Sequence, residues 1–99
     1  MNNRLETKQA YQEKVKAQLD KLDAQIEELN AKFKQAEAKA KIKYSNQLKE
    51  LRSKRDATQV KLQELQQASE AAWDEIKLGF EKAWSELNGA FEAAIAKFH

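Results

Sequence analysis

The apolar positions of this chain recur every three or four residues almost from end to end. They run Tyr11, Val15, Leu19, Leu22, Ile26, Leu29, Phe33, Ala36, Ala40, Tyr44, Leu48 and Leu51, then pass the polar Arg55 and Thr58. The rhythm resumes at Leu62, Leu65, Ser69, Trp73, Ile76, Phe80, Trp84, Leu87, Phe91, Ile95 and Phe98. The mean step is about 3.6 residues, the period of a helix with one apolar face. It exceeds the period of a strict left-handed coiled coil, about 3.5, because four-residue steps follow one another at 36-40-44-48, 76-80-84 and elsewhere. This pattern predicts an all-α fold of one to three long amphipathic helices, forming a coiled coil or a helical bundle. Regular heptad pairing is expected around Leu19–Phe33.

Stop signals are scarce. Asn3 followed by Glu6 fits a helix-start capping pattern. Tyr44-Ser45-Asn46 is the weakest central point, and Ala68-Ser69-Glu70 suits the start of a further helix. Asn88-Gly89 is turn-like, but the rhythm continues through it. A single helix of nearly the whole chain would reach roughly 140 Å at about 1.5 Å per residue. The competing layout is a hairpin turning near 44–46 or 66–70.

Two regions differ within one helical unit spanning 1–99. Region 4–66 has an aliphatic seam on which Leu19, Leu22, Ile26, Leu29, Phe33, Leu48, Leu51, Leu62 and Leu65 are the helix-pairing candidates. Ala36, Ala40, Arg55 and Thr58 dilute it. Region 68–98 has an aromatic seam: Trp73, Phe80, Trp84, Phe91 and Phe98 fall within about 40° of one another at about 100° per residue. Ile76, Leu87 and Ile95 widen that face.

Composition agrees with long helices: proline and cysteine are absent, and glycine occurs only at Gly79 and Gly89. Disulfides and thiolate chemistry are thereby excluded. No apolar run is long enough to span a bilayer, and the first residues lack a signal peptide's apolar core, so a cytoplasmic location is expected.

The net charge of +2 is unevenly spread. Residues 1–62 hold 15 Lys/Arg against 9 Asp/Glu, or +6, and residues 63–99 hold 3 against 7, or −4. Lys32, Lys34, Lys39, Lys41, Lys43, Arg52, Lys54 and Arg55 form a basic flank. Such cations snorkel at membrane surfaces, select partners in coiled coils, or receive the acidic segment 63–99. Nucleic acid is the weakest of these readings, since no recognition module accompanies the charge. Arg55, in line with the seam, is either a snorkelling side chain or a device that fixes register, with Asp56 or Glu50 as a partner.

Nothing in the sequence points to catalysis. His99 is the single histidine, and without cysteine it offers no transition-metal site. Ser45, Ser53, Ser69 and Ser85 have no histidine base in spacing, Glu27-Glu28 and Asp74-Glu75 look like exposed pairs, and no glycine loop cradles phosphate. No cofactor is expected.

Leu51-Arg52-Ser53-Lys54-Arg55-Asp56, the stretch Leu62 through Trp73, Ile76-Lys77-Leu78-Gly79 and Ala83-Trp84-Ser85-Glu86-Leu87 resemble short bacterial coiled-coil-domain proteins. In that group a basic helix precedes an Ala-Ser-Glu-x-Ala-Trp segment and a second tryptophan. The similarity covers most of residues 10–95. It implies a bacterial origin and a helical assembly, and carries over no activity, cofactor or catalytic residue. The amphipathicity of the aromatic region also resembles that of exchangeable apolipoprotein helices.

The expectation is therefore a non-enzymatic scaffolding protein that self-associates through the seam as a homo-oligomer, or pairs with another helical protein. The alternative is a peripheral membrane or lipid-binding protein that anchors through the aromatic face.

Overall fold

The computed structural model describes the backbone of residues 3–98 and the side chains of residues 7–97. Three helices account for most of them: α1 (Asn3–Phe33), α2 (Ala38–Gln66) and α3 (Trp73–Phe98). There is no strand among the described residues. Short turns make successive helices antiparallel, giving an up-down-up bundle with extents of 58 × 18 × 18 Å. The Asn3–Glu6 cap and His99 lie outside the residues whose side chains are described.

The first turn differs from expectation. Tyr44, Ser45 and Asn46 sit inside α2, and the chain reverses at residues 34–37 instead. The hydrogen bonds show how. Lys34 N–H still reaches back to the Asn30 carbonyl at 3.1 Å, as in a helix. Gln35 and Ala36 then donate to the Lys32 and Phe33 carbonyls, at 3.1 and 3.0 Å, tightening the last turn. Glu37 is extended, with φ −65° and ψ 155°, and its carbonyl accepts from Lys41 to start α2. No residue here needs a positive φ. Glycine or asparagine is therefore unnecessary, and the turn carries no breaker in its sequence.

The second turn, residues 67–72, falls where Ala68-Ser69-Glu70 suggested. Gln67 N–H donates to the last carbonyls of α2, and Ser69 Oγ accepts from Ala72 N–H at 3.2 Å.

The seams of all three helices close on one another. Val15, Leu19, Leu22, Ile26, Leu29 and Phe33 of α1 are buried at alternating spacings of four and three, the knobs-into-holes rhythm expected there. They meet Leu48, Leu51, Leu62 and Leu65 of α2 and Trp73, Phe80, Leu87, Phe91 and Ala94 of α3 in one core. Each fully buried Leu, Ile or Phe contributes roughly 1.5–3 kcal/mol relative to exposure. The stripe that looked in need of a second chain is thus covered by its own.

Side-chain size sets the helix spacing. At about 100° per residue, Gly79, Ala83, Ala90 and Ala94 lie on one flank of the α3 stripe. That flank faces α2: a Cβ at Gly79 would meet Lys61 Cδ at 4.0 Å, and Thr58 Oγ1 lies 3.4 Å from the Ala83 carbonyl oxygen. Small residues let α2 and α3 approach most closely of the three pairs. The opposite flank, with Trp73 and Lys77, meets α1 through long side chains.

Gly79 and Gly89 both lie inside α3 without ending it. A Cβ at Gly89 would touch nothing within 4 Å. Gly89→Ala is therefore expected to stabilise the bundle by about 0.5–1 kcal/mol. Thermal unfolding followed by circular dichroism checks this: the midpoint should rise by roughly 4–8 °C per kcal/mol for a domain of this size.

Candidate functional site

The structure gathers the helix-pairing candidates in one place. Leu19, Leu22, Ile26, Leu29, Phe33, Leu48, Leu51, Leu62 and Leu65 are all buried. Of the aromatic face, Trp73, Phe80, Leu87 and Phe91 are buried, while Ile76, Trp84 and Ile95 are half-buried against the same core. The Phe98 side chain lies outside the described set. This face would meet lipid only if the bundle opened.

One core residue lies off the expected stripe, and another was expected on it only as a diluting position. Ala94 is buried, one position from the expected Ile95, because it sits on the small flank against α2. Thr58 looked like a dilution of the seam and is instead fully buried. Its hydroxyl donates to the Lys54 carbonyl one turn back at 2.8 Å, which satisfies the polar atom and lets the methyl pack.

Arg55 bridges helices. Its guanidinium pairs with Asp23 of α1 and, at 2.9 Å, with Asp56. The hydrogen bond to Asp23 holds the Arg55 pKa above its ordinary value, against partial desolvation, with Asp56 adding to it. Asp56 was anticipated. Asp23 was missed because its distance along the chain is bridged only by the turn at 34–37. Arg52 makes a parallel link, 3.0 Å to Glu27. Both pairs cross the α1–α2 seam and suit one register. Arg55 is 19 % exposed and Asp23 39 %, so screening keeps the energy of this pair modest.

A second polar cluster joins α1 to α3 at the other end of the rod. The Tyr11 ring packs edge-on against Trp73 and Phe80, with centroids 6.2 and 6.5 Å away. Lys77 stands over Tyr11 at 4.6 Å, and Lys8 over Trp73 at 5.1 Å while pairing with Glu70. The Tyr11 hydroxyl donates to Glu81 Oε1 at 3.2 Å. Burial, then the Glu81 charge and hydrogen bond, pushes the Tyr11 pKa up to about 12. A raised phenol pKa means that the folded chain keeps a proton that the unfolded chain releases near 10. The stabilisation is complete below pH 10 and fades as pH rises through about 12. Tyr11→Phe is expected to flatten that alkaline loss, measured as denaturant midpoints from neutral to strongly alkaline pH.

The basic flank is divided by the first turn. Its residues do not form the two flanks that one continuous helix would give. Lys32 ends α1, Lys34 is in the turn, and Lys39, Lys41, Lys43, Arg52, Lys54 and Arg55 belong to α2. Lys32, Lys34, Lys39, Lys41 and Lys43 are exposed, while Arg52, Lys54 and Arg55 are partly covered. Lys34 and Lys41 meet across a shallow groove of about 180 Å³ floored by Phe33 and Leu48, with Asn30 and Ser45 on its walls.

Among the described residues no group of His, Cys, Asp or Glu is placed to hold a metal ion. Ser45, Ser53, Ser69 and Ser85 stand exposed, as do Glu27, Glu28, Asp74 and Glu75. No helix among the described residues is long and apolar enough to cross a membrane. The chemistry concentrated in the structure is helix pairing, together with one lysine-rich end. No family model matches the chain, and no curated protein or solved structure is significantly similar to it.

Proposed function

We propose that the protein is a non-enzymatic structural module that acts by helix pairing, and that copies self-associate by exchanging helices through the first turn. The observation that carries this reading is the composition of that turn. Lys34, Gln35, Ala36 and Glu37 are all good helix formers, and Phe33, Ala36, Ala40 and Tyr44 continue the apolar rhythm through it. Straightened, the turn joins α1 to α2 as one helix of roughly 95 Å over residues 3–66. Its seam then meets a second copy's helices, and every contact made within one chain is remade between two. Hinge exchange of this kind needs no new interface, only a turn whose residues accept both states. The Arg55–Asp23 and Arg52–Glu27 pairs re-form between copies in the same register.

Ala38→Pro tests this. Glu37, at φ −65° and ψ 155°, already has the conformation favoured before proline. Ala38 is the first residue of α2, where a missing N–H costs little. In the straightened helix the same ring would clash with the Lys34 carbonyl, at about 3 kcal/mol or more. Wild-type protein refolded at high concentration is expected to yield a dimer by light scattering. Ala38→Pro is expected to yield only monomer, with unchanged helicity and a stability gain of about 0.4–1 kcal/mol. A wild type that stays monomeric at every concentration, or a proline variant that dimerises equally, contradicts the reading.

A further inference from the structure

We propose that the end of the rod formed by the first turn and the start of α2 docks on an anionic lipid surface, with Ile42 entering the bilayer interface. Residues 38–49 carry Lys39, Lys41, Lys43 and Lys49 and no acid, and the first turn beside them holds one, Glu37. None of these lysines forms an ion pair with another described residue. Lys34 adds a fifth charge at the mouth of the groove that it shares with Lys41, and Lys32 a sixth beside Tyr44.

Ile42 lies at the centre of this charge and is 72 % exposed, the most exposed large apolar side chain among the described residues. At about 100° per residue, Lys49 and Lys39 point within about 20° and 60° of it on the outer face of α2, with Lys41 and Lys43 to either side. An apolar side chain ringed by long cationic ones matches an interface where the aliphatic group reaches acyl chains and the ammonium groups stay among headgroups.

The same features weigh against nucleic acid. The cations of this surface are lysines, without an arginine fork to grip a phosphate or a base edge. The nearby arginines, Arg52 and Arg55, are committed to ion pairs. The Tyr44 ring is stacked on Phe33 at 4.7 Å, so it does not stand free to stack on a base. An isoleucine has no role against phosphates. The docking surface is distinct from the α3 aromatic face and needs no opening of the bundle.

Flotation of the full chain with vesicles of phosphatidylcholine alone, or mixed with phosphatidylserine, tests the assignment. Binding is expected to the mixed vesicles only, and to weaken as salt rises. Each of Lys39→Gln, Lys41→Gln and Lys43→Gln is expected to lower partitioning about five-fold, the typical value of one lysine at an anionic surface. Ile42→Ser, which leaves the charge untouched, is expected to lower it about tenfold. All four side chains are exposed, so circular dichroism should show these variants folded as wild type. Three results would overturn the proposal: no flotation with phosphatidylserine vesicles, flotation indifferent to Ile42→Ser, or an oligonucleotide bound more tightly than the vesicles.

Discussion

Ile26→Asp is expected to abolish the fold. Ile26 has no exposed surface, and it stands in the second half of α1 between Leu22 and Leu29 in the core. Truncating such a side chain costs about 2–5 kcal/mol through lost burial and the cavity left behind. The aspartate adds a carboxylate to an apolar core, a further penalty of several kcal/mol. Together these approach the whole stability of a small domain, about 5–15 kcal/mol. Circular dichroism is expected to show most helicity lost at room temperature, with all three helices affected together, because helical stability in proteins comes mainly from tertiary packing of the apolar face. Native-like helicity in this variant would mean that Ile26 is not where the helices meet.

Trp73→Ala is expected to have the next largest effect, about 3–5 kcal/mol of lost stability. Trp73 opens α3, is buried, and supplies the ring against which Tyr11 packs edge-on and over which Lys8 stands. Truncation removes the apolar burial, the aromatic pair and the cation–π contact at once, and the latter two contribute about 0.5–1.5 and 0.5–1 kcal/mol by themselves. The same substitution separates two meanings of an aromatic stripe. If the stripe served only to bind a surface outside the chain, losing Trp73 would leave the denaturation midpoint in place. A midpoint that drops sharply in dilute protein, with no lipid present, marks the side chain as part of the chain's own core.

The all-α class and the core were legible because helical periodicity is a property of the sequence alone. Nearly every position on the stripe that carries a large apolar residue is buried or half-buried. The tolerance of Gly79 and Gly89 was legible for the same reason: flanking periodicity outweighs about 1 kcal/mol of propensity. The second turn was visible through Ser69, whose side chain can hold a backbone amide that the helix leaves free. The first turn was not. Lys34 through Glu37 favour a helix, and the reversal is imposed by tertiary packing, which sequence propensity does not record. What depends on that reversal was hidden with it: the Asp23 partner of Arg55, and the placing of the basic flank at one end of a rod. Ala94 was hidden for another reason. A small residue is an apolar signal too weak to stand out, yet it sits where two helices approach most closely.

The apolar stripe is closed within one chain. Small-angle X-ray scattering of the wild-type protein, extrapolated to infinite dilution, tests it most directly. The bundle predicts a radius of gyration close to the 16.2 Å of its Cα trace, slightly enlarged by side chains and hydration, and a longest dimension not far above 58 Å. An unbroken helix of the same chain would be roughly 140 Å long, with a radius of gyration near 40 Å by rod geometry. Scattering from such a rod at the lowest concentrations, or a mass that stays above that of one chain on dilution, would contradict the account.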